Sequence, residues 1–376
     1  MAVTALAAEM RAAGRDVIGL GAGEPDFDTP EHIKQAAIEA IREGKTKYTA
    51  VDGIPELKQA IIDKFWRDNE LEYAPDQILV SSGGKQTCYN VCQALLGDGD
   101  EVIIPAPYWV SYPAMAMLAD ATPVEVLAGI EQGFKLTPEA LEAAITDRTR
   151  LMFLNSPSNP TGAAYTRAEL EALGQVLAAH PDIVIATDDM YEHIYWADEP
   201  FTRLVQACPE LYERTITING VSKAYAMTGW RIGYAGGPPA IVQAMKKIQS
   251  QSTSNPCSIS QAASVAALTG DQSCLGERNQ AFKERHDYVV AALNEIPGFE
   301  CAEGAGTFYA FPNVSGAIAA KGAADDTAFA ELLLNEAEVA IVPGSAFGAP
   351  GYIRLSYATS VEILQEAIAR IAKFVG

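Results

Sequence analysis

Short apolar runs alternate along the chain with stretches whose apolar residues recur every three or four positions. The first pattern predicts strands and the second amphipathic helices. Strands are expected at 78–81, 101–104, 150–155, 182–187, 215–218 and 231–237. Between them, Cys88, Val91, Cys92 and Leu95 share a helix face, as do Leu170, Leu173 and Leu177 behind a Thr166/Glu169 capping box. Upstream, Thr29 reads as the cap of a helix with Pro30 at its first position, burying Ile33, Ala36, Ala37 and Ile41 and ending at Gly44. The next helix points Leu57, Ile61 and Phe65 inward. Strand, loop and helix repeated in this way imply a largely parallel sheet covered on both faces.

The character changes near residue 275. A long helical stretch is followed by strand-like segments at 306–311, 339–344 and 352–357, then by a helix capped by Thr359 and Glu362 with Leu364, Ile368, Ile371 and Val375 inward. The expected organisation is a large unit, 30–275, and a smaller α+β unit formed by 1–29 and 276–376.

A length of 376 residues suits about two such units. The net charge of −21 repels nucleic acid and anionic membrane surfaces, so a small anionic substrate would need positive charge concentrated locally. The start lacks the pattern of a signal peptide, and no apolar run approaches the ~20 residues of a membrane span. Cys88 and Cys92 read as small core residues, and neither the six cysteines nor the four histidines show metal-ligand spacing. A reduced, cytoplasmic setting and no metal site are expected.

In doubly covered sheets the chemistry lies at the carboxyl ends of the strands. Lys85, Trp109, Asn159, Asp188, Tyr191 and Lys223 all follow predicted strands. A lysine amine can condense with a carbonyl, and a cofactor aldehyde turns that bond into an electron sink. Asp188 could pair with a protonated ring nitrogen, Tyr191 and Asn159 with a phenolic oxygen, and Trp109 with the face of a flat ring. Gly83 and Gly84 open a helix after a strand and, with Ser222 and Arg231, would suit a phosphate. Arg354 remains for a substrate carboxylate.

The motifs GEPDFDTP, TKYT, GGKQ, PYWVSY, NSPSNPTG, DDMYEH, SKAYAMTGWRIGY and RLSYATS together resemble those of class I pyridoxal-phosphate aminotransferases, in the bacterial aspartate aminotransferase branch that includes aspartate/prephenate enzymes. The resemblance runs from about Val3 to the C-terminus. It implies PLP fold type I: a three-layer α/β large domain with a mostly parallel seven-stranded sheet, plus the smaller α+β domain. It also implies pyridoxal 5′-phosphate as cofactor, with Lys223 as its covalent partner and proton carrier. Asp188 would face the ring nitrogen, Tyr191 and Asn159 the ring oxygen, Trp109 the ring face, and Arg231 and Ser222 the phosphate. Tyr48 would reach the phosphate of a neighbouring subunit, making the active unit a homodimer with shared sites. Arg354, with Asn159 and the backbone of Gly23, would bind the substrate α-carboxylate.

Two departures qualify this picture. Animal-type relatives bind the distal carboxylate with an arginine from the partner subunit, but no arginine lies between Arg231 and Arg278, which leaves Lys85 of GGKQ as the expected selector. Relatives also carry roughly twenty more N-terminal residues, an arm that packs on the neighbouring subunit, against the usual disorder of unanchored termini. The leading expectation is transfer of the amino group of L-aspartate to 2-oxoglutarate by a ping-pong cycle, with prephenate or phenylpyruvate as further acceptors. An aromatic or neutral amino-acid aminotransferase, a PLP-dependent lyase on the same scaffold and a non-catalytic cofactor-fold protein are the alternatives.

Overall fold

A computed structural model describes residues 2–376, with side chains from Ala5 onward. Its strands, in chain order, begin with β1 (Ile18–Gly19). Seven follow in one sheet: β2 (Ile78–Ser81), β3 (Glu101–Ala106), β4 (Thr122–Leu127), β5 (Thr149–Asn155), β6 (Val184–Asp188), β7 (Thr215–Gly220) and β8 (Gly233–Gly236). The last four are β9 (Tyr309–Ala310), β10 (Val339–Ala340), β11 (Val342–Pro343) and β12 (Ile353–Ser356).

The large sheet has the order β2-β8-β7-β6-β5-β3-β4, and β8 alone runs antiparallel to its neighbours. Alternation along each strand fills two helical layers. Leu79, Val102, Ile104, Leu151, Phe153 and Ile216 pack towards the helices Gly84–Leu95 and Pro239–Ser252. On the opposite face Ile78 and Val80 meet the helices Pro55–Asn69 and Ser258–Thr269, while Ile103, Met152 and Ile185 meet Arg167–Ala178.

A separate hydrophobic cluster joins β9 and β12 to the helices Ser273–Asn294, Asp326–Ala337 and Val361–Val375. The N-terminal segment belongs with it, since β1 pairs in parallel with β10, Ile18 opposite Val339. Residues 20–29 then cross to the large sheet, where Thr29 Oγ1 donates to the Ala226 carbonyl at 2.7 Å.

That contact corrects the expected role of Thr29, whose hydroxyl does not cap the helix Glu31–Arg42. Ala40 takes the inward position there and Ile41 is exposed, because the helix turns its buried stripe through Ile33, Ala37 and Ala40. The final helix is capped by Ser360, which accepts from the Ile363 N–H, and not by Thr359. Strand β4 was not expected from the pattern: as an edge strand with no fully buried residue it carries little continuous apolar signal. None of the described helices is long and apolar enough to cross a membrane.

Candidate active site

Register sets the site. Asn155 pairs with Asp188, and Asp188 with Ile218, so β5, β6 and β7 end level with one another. Strands β2 and β3 deliver Gly83-Gly84 and Trp109 to the same edge. Because β8 is reversed, its starting end lies there too, and it brings Arg231, which sits in left-handed backbone at φ 55° just before the strand. The carboxyl-end rule therefore misses Arg231, whereas the antiparallel strand explains it.

A cavity of about 710 Å³ opens at this edge. Of the residues expected from sequence, Gly23, Gly84, Lys85, Trp109, Asn159 and Asp188 line it, as do Tyr191, Ser222, Lys223, Arg231 and Arg354. Gly83 stands just behind as the N-cap of Gly84–Leu95, at φ 88°, where a side chain would run into the Arg231 guanidinium. Tyr48 is not part of the cavity; its side chain is 93% exposed.

Lys223 Nζ donates to the Gly23 carbonyl and lies 6.0 and 5.9 Å from the ring centres of Tyr191 and Phe308. The side chain keeps some surface open to the cavity, but protein closes round the amine. Burial and then the nearby Arg354 guanidinium lower its pKa to about 8, against the opposing pull of Glu24. Asp188 is buried, and burial raises its pKa. Its Oδ2 accepts from the Tyr112 hydroxyl at 2.7 Å and its Oδ1 from the Met190 N–H at 3.3 Å, while Asn155 Nδ2 donates to its backbone carbonyl at 2.7 Å. Burial also pushes the Tyr191 phenol well up, so it keeps its proton and shares a hydrogen bond of 3.0 Å with Tyr309.

Arg354 reaches across from β12. Its Nη1 donates to Asn159 Oδ1 at 2.8 Å and its Nη2 to the Gly21 carbonyl at 2.9 Å, and its guanidinium lies 4.4 Å from the Tyr309 ring centre. Its Nε is buried without an acceptor among the described residues, so the group retains donor capacity. Lys85 Nζ lies 4.9 Å from the Trp109 ring centre. Tyr112, Tyr309, Asn155 and Glu24 were not singled out from sequence. Tyr112 had a signal: it stands three residues after Trp109 in PYWVSY, and its ring stacks on Phe153 at 4.5 Å.

These residues fit a flat phosphorylated aldehyde cofactor. The N–H groups of Gly84 and Lys85 open a helix without intrahelical acceptors, next to Ser222 and Arg231, and a Cβ on Gly84 would collide with Met190. At the other end an acid, three phenols and an amine converge. That donor set matches the ring nitrogen, ring oxygen and aldehyde of pyridoxal phosphate.

The chain is similar to known proteins along nearly its whole length. It is 60% identical to an aspartate/prephenate aminotransferase of Cereibacter sphaeroides, covering all of this chain and 95% of that one, and 58% identical to another from Nitrosomonas europaea, covering 99% and 95%. The solved aspartate aminotransferase of Rhizobium meliloti superposes with a TM-score of 0.95 at 52% identity, covering 99% of this chain and 94% of that one. An aspartate aminotransferase of Thermus thermophilus solved with maleate gives 0.93 at 44% identity, covering 99% and 95%. The profile of aminotransferase class I and II matches residues 15–371, and with these relatives it makes the chain a member of that family.

Proposed function

We propose that the protein is a pyridoxal-phosphate-dependent aspartate aminotransferase passing the amino group to 2-oxoglutarate, with prephenate as a further acceptor. The observation that carries the reading is the meeting of the Lys223 amine, its pKa lowered to about 8, with the Asp188 carboxyl and the Arg354 guanidinium in one cavity. Substrate choice rests on the names of the relatives and on maleate, a dicarboxylate, in one of them.

When bound, pyridoxal phosphate would supply an aldehyde that condenses with amines and a ring that accepts the electron pair released at the amino acid α-carbon. The protein's own groups would do the rest. Gly84 and Lys85 N–H, Ser222 and Arg231 would hold the phosphate, and Trp109 would cover the ring. Asp188, kept in place by Tyr112 and the Met190 N–H, would hold a proton on the ring nitrogen. Tyr191 and Asn159 would face the ring oxygen. Arg354, with Asn159 and the Gly23 backbone, would hold the α-carboxylate. Lys223 Nζ, its pKa lowered from 10.5 to about 8, would then take the proton from the amino acid α-carbon and return it two bonds away, at the carbon that came from the aldehyde.

Lys85 is proposed to select the distal carboxylate. A panel of amino donors with 2-oxoglutarate, scored by kcat/KM, tests both claims: aspartate should lead, and Lys85→Ser should raise KM for aspartate about 10-fold or more, the loss of one charge-assisted contact. Phenylalanine should change little; equal losses for both donors would remove Lys85 from the selecting role.

The exposed Tyr48 suits a role in a neighbouring copy, and we propose a homodimer with shared sites in the cytoplasm. Light scattering should give twice 40.1 kDa. Tyr48→Phe should weaken cofactor affinity without dissociating the dimer, whereas a monomeric, fully active protein would refute the shared site.

A further inference from the structure

The loop leaving β6 faces two ways. Asp188, Met190 and Tyr191 line the cavity, whereas Asp189 and Glu192 point into a sealed ionic cluster behind it. Arg203, its side chain wholly buried, donates from Nη1 to Asp189 Oδ2 and from Nη2 to Glu192 Oε2. Phe65 and Phe201 hold the guanidinium at 5.4 and 5.8 Å from their ring centres. Glu192 accepts in addition from Lys64 Nζ, from Asn69 Nδ2 at 3.0 Å and from Asn219 Nδ2 at 2.7 Å. Asn219 lies on β7, four residues before Lys223. Glu192 thus ties the loop bearing Asp188 and Tyr191 to the strand that leads into Lys223.

The cluster is not a metal set, although Asp68, Glu192 and His193 converge. The Lys64 ammonium contacts Glu192 and lies 3.6 Å from Asp68, so a cation already occupies the space between them. What the geometry demands is neutralisation of two carboxylates on one short loop, and only a forked cation spans both. Without it, one carboxylate would remain buried and unpaired, and the loop would turn to rehydrate it.

We propose that Arg203 is a positioning residue: by gripping Asp189 and Glu192 from behind, it fixes Asp188 and Tyr191 in register with Lys223. This deepens the aminotransferase reading and rests on it. Arg354 and Lys85 lie outside the cluster, as do the Gly84, Ser222 and Arg231 groups of the phosphate cradle. Loss of Arg203 therefore acts on kcat more than on substrate or phosphate binding, as misplacement of reacting groups does.

The test uses full-length holoenzyme of three kinds: wild type, Arg203→Lys, and the charge-balanced pair Arg203→Met with Asp189→Asn. Wild type must first bind pyridoxal phosphate and transaminate; failure there refutes the aminotransferase reading itself. Given that, the charge-balanced protein should melt within a few degrees of wild type, keep its amino-donor KM within two-fold and keep its pyridoxal-phosphate Kd within about ten-fold. Its kcat should fall at least ten-fold, and the visible circular-dichroism band of the bound cofactor should change in amplitude. Arg203→Lys, which keeps the charge but loses the fork, should fall three- to ten-fold in kcat with the same KM. A kcat within two-fold of wild type in Arg203→Lys overturns the proposal, and so does an unchanged dichroism band in either variant. If the charge-balanced protein does not fold, Arg203→Lys alone decides by the same two measurements.

Discussion

Lys223→Ala is expected to lower kcat by about 10⁴-fold, the upper end of what a positioned acid–base group contributes. Loss of the covalent partner adds to that effect. The check is direct: borohydride reduction of wild type incubated with pyridoxal phosphate should label the peptide containing Lys223, and the variant should carry no label there. Labelling at another lysine in wild type would end the assignment. The apoprotein gives a second measurement. Burial and Arg354 lower the amine's pKa to about 8, so below pH 8 it is mostly ammonium and unreactive, and above pH 8 it is free. Competitive labelling of Lys223 should therefore rise through pH 8, about two units before exposed lysines.

Asp188→Asn should be nearly as severe, lowering kcat by about 10²–10⁴-fold while leaving phosphate anchoring almost intact. The carboxyl is buried at the end of β6 with its Oδ2 accepting from Tyr112 and its Oδ1 from the Met190 N–H. An amide fills the same space but has no charge to keep a ring nitrogen protonated. Presteady-state measurement should place the loss in the proton-transfer step, with pyridoxal-phosphate affinity within about ten-fold of wild type. A loss confined to cofactor affinity would move Asp188 from the proton chemistry to simple retention.

Much of this arrangement was legible in the sequence, for reasons that can be named. Strands β5, β6 and β7 are buried on both faces, so their apolar runs stand out, and the loops that follow hold residue types seldom found together. Asp188, Asn159 and Lys223 could be placed at one edge because parallel strands of a covered sheet end together. What stayed hidden depended on pairing between distant segments. The reversal of β8, which carries Arg231 to that edge, has no signature in residues 231–237. Thr29 and Ile41 were misread because local capping and periodicity say nothing of which neighbour a hydroxyl or a helix face will meet. Tyr309 came to Tyr191 through the contacts of the segment before β9 with the loop after β6, Tyr195 bridging Gly306 and Thr307 N–H donating to the Ile194 carbonyl, and Arg203 came to Glu192 through the fold of that same loop.

The reach of Arg354 from β12 has a consequence for biosynthesis. Lys223 and Asp188 are translated 131 and 166 residues before Arg354, the guanidinium proposed for the incoming carboxylate. A nascent polypeptide can own the amine yet lack the proposed anchor for an α-carboxylate. That grip forms only once β12 has docked and Arg354 meets Asn159.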